Sequence, residues 1–353
     1  MTILFAFGMP GVMSSWGVAA VHALAREAFG DYAIIATDTV DELRQHVVAQ
    51  SGKNAVLVSQ FPEPKLSELI LRVNVPFLLF LEDPVDAVSY LARATEQRDI
   101  GLVRVVSASL ACLEPLAGAS GALVLRRNDV DQSSGIDLLL KTIDRHLSTD
   151  LKLEQIANAL LQVGMSMSPS GQPLLANAPK LEEAAAAVIA GYLTPREVVP
   201  EVSEALRETA RKILCPLEFG RRENSGGTIF WPQEAFLSGD SLGHALDNLV
   251  DLAGGARCLI YGPYLHLPPG RWNAKFIFDV DEDCHGQIFT VEVHATELLG
   301  SLRVCPQGTG SFEAAVPVDV TDPRAPIEIR VMMDSGAIEG RLSAWNVEWL
   351  RAA

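Results

Sequence analysis

Along the first 150 or so residues the hydrophobic positions gather into short unbroken runs: Ile3–Phe7, Ala33–Thr37, Ala55–Val58, Phe77–Leu81, Val103–Val106 and Ala122–Leu125. Runs this short and this apolar predict strands buried on both faces. Between them lie stretches with helical spacing, such as Thr39–Gln50, with Leu43 and Val47 four apart, and Lys65–Val73. Strands alternating with helices predict βαβ units and a mostly parallel sheet covered on both sides. Ile136–His146, Leu153–Val163, Lys180–Tyr192 and Val198–Leu214 then read as helices, interrupted by the Ser-, Pro- and Gly-rich loop Met165–Pro179. These helices either complete the first domain or form a small bundle beside it.

At Arg221–Gly227 polar and glycine residues mark a linker, and beyond it the period becomes two. Trp272, Ala274, Phe276 and Phe278 alternate with Arg271, Asn273, Lys275 and Ile277. Phe289, Val291 and Val293 repeat the pattern, as do Ile327, Ile329 and Val331, and Trp345, Val347 and Trp349. Several short alternating strands joined by turns predict an antiparallel sandwich with one face of each sheet buried. The expected organisation is a three-layer α/β domain over residues 1–222, with helical completion from about residue 136. A β-sandwich follows over residues 223–353.

Composition narrows the function. Against 28 Lys and Arg stand 44 Asp and Glu, a formal charge of −16 over 353 residues. Binding to a nucleic-acid duplex needs concentrated cation to displace counterions, so no nucleic-acid partner is expected. Cys112, Cys215, Cys258, Cys284 and Cys305 are scattered, with no CxxC pair, and read as free thiols in a reducing compartment. Met1–Ala25 carries no charged side chain, but Gly8, Pro10, Gly11, Ser14, Ser15 and Gly17 interrupt it and no basic residue precedes it. It reads as a strand, a turn Gly8–Met13 and a helix from about Ser14, capped by the Ser14 or Ser15 hydroxyl. No membrane span is expected, and the expected location is the cytoplasm.

The turn Gly8-Met9-Pro10-Gly11-Val12-Met13-Ser14-Ser15-Trp16 joins the first strand to its helix, where backbone N–H groups and the helix start could hold an anion. It is neither a Walker A loop nor a dinucleotide fingerprint. It resembles the 5′-phosphosulfate loop of sulfotransferases, roughly P-(R/K)-S-G-(S/T)-(S/T)-W, with Pro10, Ser14, Ser15 and Trp16 in place. Phe77–Ser89, through Glu82-Asp83-Pro84-Val85-Asp86-Ala87-Val88-Ser89, resembles the same family's strand and RDPRDAVxS motif. That resemblance implies a sulfotransferase-like fold and makes Gly8, Pro10, Gly11, Ser14, Ser15, Trp16 and Ser89 the anion- or nucleotide-binding candidates. The departures weigh more. The loop cation of the family is Gly11 here, the second-motif arginine is Glu82, and the next basic position is Val85. A helix terminus offers only about half a unit of positive charge, and removing one partner of a buried charge pair costs roughly 2–5 kcal/mol. Binding of 3′-phosphoadenosine 5′-phosphosulfate is therefore expected to be lost unless Arg26, Arg93, Arg104, Arg126 or Arg127 compensates, and no cofactor is expected. His22 and His46 read as ordinary histidines, so the catalytic residue is unassigned.

Downstream, Tyr261-Gly-Pro-Tyr264-Leu-His266-Leu-Pro-Pro-Gly270-Arg271-Trp272 resembles the YGPYxxLPPGRW signature of small β-sandwich modules on bacterial glycosyltransferases and other surface-polysaccharide proteins. The resemblance implies a jelly-roll, carbohydrate-binding-module-like sandwich. Sugar rings pack a C–H face on aromatic faces while convergent polar groups meet their hydroxyls. Tyr261, Tyr264, His266, Arg271 and Asn273 supply both types and are the carbohydrate-binding candidates, with the tryptophans read as core. Gly239–Gly243 (GDSLG) imitates a nucleophile elbow, but it follows no buried strand of an α/β sheet. Asp279–Asp283 imitates a calcium loop, but Cys284 stands where the obligatory glycine belongs. No metal site is expected.

Three functions follow as expectations. The first is a carbohydrate-interaction protein of bacterial surface-polysaccharide biosynthesis, a pseudoenzyme whose partners are a glycan or polysaccharide intermediate and polysaccharide-synthesis enzymes. The second is an active sulfotransferase-type or other nucleotide-dependent transferase using 3′-phosphoadenosine 5′-phosphosulfate. The third is a non-catalytic scaffold or oligomerisation protein.

Overall fold

The computed structural model describes residues 1–50, 52–127, 135–164, 180–189, 202–217, 228–247, 249–280 and 286–352. The linker at 221–227, the loop at 165–179 and the acidic turn at 281–283 lie outside them. Contacts divide the chain into two compact units, 1–98 with 112–203, and 99–111 with 204–353.

In the first unit, β1 (Ile3–Gly8), β2 (Ala33–Ala36), β3 (Ala55–Ser59), β4 (Phe77–Leu81) and β5 (Ala122–Arg126) form one sheet in the order β2-β3-β1-β4-β5. Every pairing in it is parallel. β4 is buried along its whole length, as expected of a strand covered on both faces. Helices α1 (Val12–Phe29), α2 (Val40–Ala49), α3 (Pro64–Val73), α4 (Pro84–Ala94), α6 (Ile136–Leu147), α7 (Leu153–Gln162) and α8 (Leu181–Val188) complete the layers. On one side Met13, Trp16 and Ala20 of α1 share a core with Ala6, Leu78 and Phe80 of the sheet and Leu140 and Ile143 of α6. Close approach of α1 to the sheet needs Gly17, where a Cβ would sit 2.4 Å from the Phe80 ring. The α/β class expected from the sequence is thus present, with one element corrected. Val103–Val106 is not a strand: it lies inside helix α5 (Gly101–Ala117), whose Leu102, Val106, Leu110 and Leu113 are all buried. A four-residue apolar run fits either element, and here the helical spacing of its neighbours wins.

The second unit is an antiparallel sandwich, preceded by helix α9 (Glu204–Leu214). One sheet runs β13 (Gly310–Val320), β10 (Gly270–Val280), β15 (Arg341–Arg351) and β6 (Ile229–Trp231), with β8 (Leu249–Asp251) also on β15. The other runs β12 (Leu298–Val304), β11 (Phe289–His294), β14 (Ile327–Met333), β9 (Arg257–Leu265) and β7 (Leu237–Ser238). Every residue assigned inward by the period of two is buried: Trp272, Ala274, Phe276 and Phe278, then Val291, Val293, Ile329, Val331, Val347 and Trp349. Trp345 lies in the middle of this core, with ring centroids 5.7 Å from Phe276, 6.0 Å from Phe278 and 6.1 Å from Phe236. Gly239–Gly243 is a bend after the two-residue β7, with no helix following, and so lacks the geometry of a nucleophile elbow.

Candidate functional sites

The loop after β1 is closed by its own groups. Gly11 caps α1 with no side-chain bond, and the helix begins at Val12, ahead of the serines expected to cap it. Their hydroxyls donate to carbonyls instead: Ser14 Oγ to Met9 O at 2.5 Å, and Ser15 Oγ to Gly11 O at 2.9 Å. Ser15 Oγ also lies 2.7 Å from the Tyr90 hydroxyl. Ser89 Oγ bonds back to Val85 O at 3.1 Å within α4, and the buried Trp16 donates Nε1 to Val163 O at 3.2 Å. Gly8 and Pro10 are buried in the same loop.

The orphan N–H of the first turn is met by Glu82, which follows β4. Its Oε2 accepts the Met13 N–H at 2.9 Å, and its Oε1 accepts from Arg127 Nη1 at 3.1 Å. The Glu82 side chain is 1% exposed and that of Arg127 9%. Arg127 also pairs with the half-exposed Glu182. A carboxylate from 69 residues along the chain is therefore the cap of α1 and places negative charge at its positive end. Gly11 makes room for it, since a Cβ there would stand 2.7 Å from Oε2. Burial pushes the Glu82 carboxyl above the usual carboxylate range, with Arg127 and the Met13 N–H opposing. Among the arginines that could have compensated for the missing loop cations, Arg127 does reach this place, but its charge is taken by Glu82.

On the α1 side of the same sheet, a cleft of about 540 Å³ opens past the carboxyl ends of β1, β2 and β3. Neither His22 nor His46 lines it. His22 Nδ1 is 3.2 Å from the Tyr32 hydroxyl, its pKa lowered chiefly by burial, and His46 is exposed on α2.

In the sandwich, the carbohydrate-binding candidates separate. Tyr261, Tyr264 and His266 belong to or follow β9, whereas Arg271 and Asn273 belong to β10 in the other sheet. Arg271 is exposed and 3.9 Å from Asp319, and Asn273 is on the outward parity of β10 opposite Pro317 and Leu350. His266 Nδ1 donates to Pro323 O at 2.9 Å, and burial lowers its pKa. The two tyrosines come together because β9 is irregular. Pro263 pairs with Glu328 while Leu265 pairs with Ile327, leaving Tyr264 as the extra residue, at φ 64°. Its ring then meets that of Tyr261 edge-on at 6.4 Å, and its hydroxyl donates to Glu328 Oε1 at 2.9 Å. Burial first, and then the Glu328 bond, push the Tyr264 phenol up to about 12.

Residues that sequence reasoning missed complete this face. Arg330, opposite Tyr261, donates to Glu328 Oε2 at 2.6 Å. His294, opposite Glu328, lies 2.8 Å from Glu292. The Arg104 guanidinium, from the part of α5 grouped with the sandwich, sits 5.3 Å from the Tyr264 ring centroid, its Nε donating to Pro263 O at 2.7 Å. All these side chains are half-buried. Among the described residues no group of three or more His, Cys, Asp or Glu side chains is placed to hold a metal, and no helix is long and apolar enough to cross a membrane.

No family model and no curated protein matches the sequence. Solved structures do align. A mouse sulfotransferase complexed with PAP matches at 10% identity over 64% of this chain and 86% of its own, with a TM-score of 0.38. The C-terminal CBM6 of a Zobellia galactanivorans laminarinase matches at 16% identity, over 35% of this chain and 99% of its own, at 0.23. The module TmCBM61 with β-1,4-galactotriose matches at 11% identity over 40% and 96%, also at 0.23.

Proposed function

We propose that this is a carbohydrate-interaction protein of bacterial surface-polysaccharide biosynthesis whose α/β unit no longer takes a polyanionic sulfuryl donor. The observation that carries the reading is the sandwich face on which Tyr261 and Tyr264 stand beside Glu328, Arg330 and His294. Two tyrosines give a saccharide amphipathic contact area at low conformational cost, and the carboxylate and guanidinium offer hydroxyl groups both acceptors and donors. A non-glycine residue at positive φ costs of the order of 1–3 kcal/mol and tends to persist at functional sites, and Tyr264 is such a residue. Loss of the donor rests on Glu82, because a sulfuryl or phosphoryl group would meet a carboxylate where it needs a cation.

Calorimetric titration with β-1,4-galactotriose, cellotriose and xylohexaose tests the glycan site. At least one is expected to bind, Tyr264→Ala to weaken it at least about tenfold (1.4 kcal/mol), and Tyr264→Phe to fall between. A thermal-shift screen with 3′-phosphoadenosine 5′-phosphate is expected to show no stabilisation. Failure of every glycan in a broad array removes the proposal. Stabilisation by the nucleotide, lost in Ser89→Ala, replaces it with a working transferase.

A further inference from the structure

The cleft past β1, β2 and β3 carries chemistry that neither the loop nor the sandwich face absorbs. Its floor is apolar: Ala6, Val58 and Ala36 on adjacent strands, with Val18 of α1 beside them and Phe61 at the edge. The floor is open because α1 leaves the β2 side of the sheet uncovered, and Ile34, on the same face, is 59% exposed. The rim is polar: Ser14 and Ser15 of the loop after β1, Thr37, Ser59 and Gln60, with the carboxylates of Asp38 and Glu42. Asp38 Oδ1 takes the Ser59 hydroxyl at 2.6 Å and the Phe61 N–H at 3.2 Å, while Oδ2 accepts from no group among the described residues. The Glu42 carboxylate takes the Thr37 hydroxyl at 2.6 Å, and that bond holds Glu42 below the usual carboxylate range, so it is ionised at neutral pH. Among the described residues no Lys or Arg lines the cleft.

An apolar floor with a few convergent polar groups is the general form of a small-molecule site. Among the described residues the polar groups include two carboxylates and no cation, the reverse of what a phosphorylated or sulfated ligand requires. The geometry points to a binding site for a cationic polyol, with an amino sugar as its simplest form. Its hydroxyls would donate to the rim, its ammonium would face Asp38 and Glu42, and its C–H face would lie on the floor. The site is independent of the sandwich face proposed above.

The test uses the full chain and three probes on one sugar frame that carry a positive, no and a negative charge: glucosamine, glucose and glucose 6-phosphate, each followed by calorimetry. Glucosamine is expected to bind at least about tenfold more tightly than glucose, a gap of 1.4 kcal/mol, and glucose 6-phosphate not at all. Asp38→Asn is expected to reduce glucosamine to the level of glucose. Because Asp38 also holds the turn at Ser59–Phe61, Glu42→Gln at the exposed rim is the second variant, and it too is expected to narrow the gap. Tyr264→Ala should leave glucosamine binding unchanged, so failure here and failure of the sandwich site read separately. Absence of glucosamine binding overturns the inference. So does glucose 6-phosphate binding as well as glucosamine, or a glucosamine affinity that neither carboxylate variant alters.

Discussion

Replacing Arg127 with methionine is expected to destabilise the α/β unit by about 3–5 kcal/mol at pH 8, because it leaves a buried carboxylate without its cation. The Glu82 side chain is 1% exposed, so solvent cannot take over from the lost partner. Its native pKa already lies above the ordinary carboxylate value because burial disfavours the charged form, and Arg127 is the largest opposing influence. Without that influence the native value climbs further. A carboxyl whose pKa is raised in the native state binds its proton more tightly folded than unfolded, so its stability contribution falls as pH rises between the two values. The loss in Arg127→Met should therefore shrink toward pH 4, where Glu82 is mostly protonated in both states, and grow toward pH 8. Adding Glu82→Gln to Arg127→Met should recover most of it. Hydrogen exchange of the β4 amides in urea reports this unit separately from the sandwich. A loss of the same size at pH 4 and pH 8 would show that packing of the arginine stem, and not its charge, is what matters.

In the sandwich, Trp345→Ala should cost about 3–5 kcal/mol, the usual loss for truncating a fully buried large aromatic side chain. Trp345 is 1% exposed and lies among three phenylalanine rings. Its Nε1, like those of Trp231 and Trp349, is buried with no acceptor among the described residues. A buried N–H without a partner carries a desolvation penalty of about 1–3 kcal/mol. Trp345→Phe removes that penalty along with the second ring, so its net cost should stay under about 1.5 kcal/mol. Unfolding followed by amide exchange on β10 and β15 distinguishes the two variants. Equal costs for alanine and phenylalanine would mean that the indole N–H is bonded after all.

Much of this molecule is legible from residue order, and what is not has a common cause. The parity of Trp272–Phe278 and Trp345–Trp349 depends only on the alternation of Cβ directions along a strand, which sequence displays directly. The run Phe77–Leu81 announces a doubly covered strand for the same kind of reason. Val103–Val106 reads as a strand but is helical, because a run of four residues has no distinguishing period. The Glu82 cap is hidden because its partner, Met13, is 69 positions away, while the Ser14 and Ser15 hydroxyls stand at the helix start. The companions of Tyr264 were hidden because register is a property of paired strands. Glu328, Arg330 and His294 share a face only once β9, β14 and β11 are aligned, and the irregularity at Tyr264 shifts that alignment by one residue. Conversely, Arg271 and Asn273 looked close to the tyrosines because the chain passes quickly from β9 to β10, but that step crosses from one sheet to the other.

The meeting of Gly11 and Glu82 also constrains what either position can become. A long basic side chain introduced at position 11 would first run into the carboxylate, 2.7 Å from where its Cβ must go. An arginine introduced at position 82 would bring a second cation against Arg127 and leave the Met13 N–H without its acceptor. Neither single replacement is therefore free: each disturbs the cap of α1 unless the other accompanies it. Positions 11 and 82 are thus coupled, and a change at either one is tolerated only together with a change at the other.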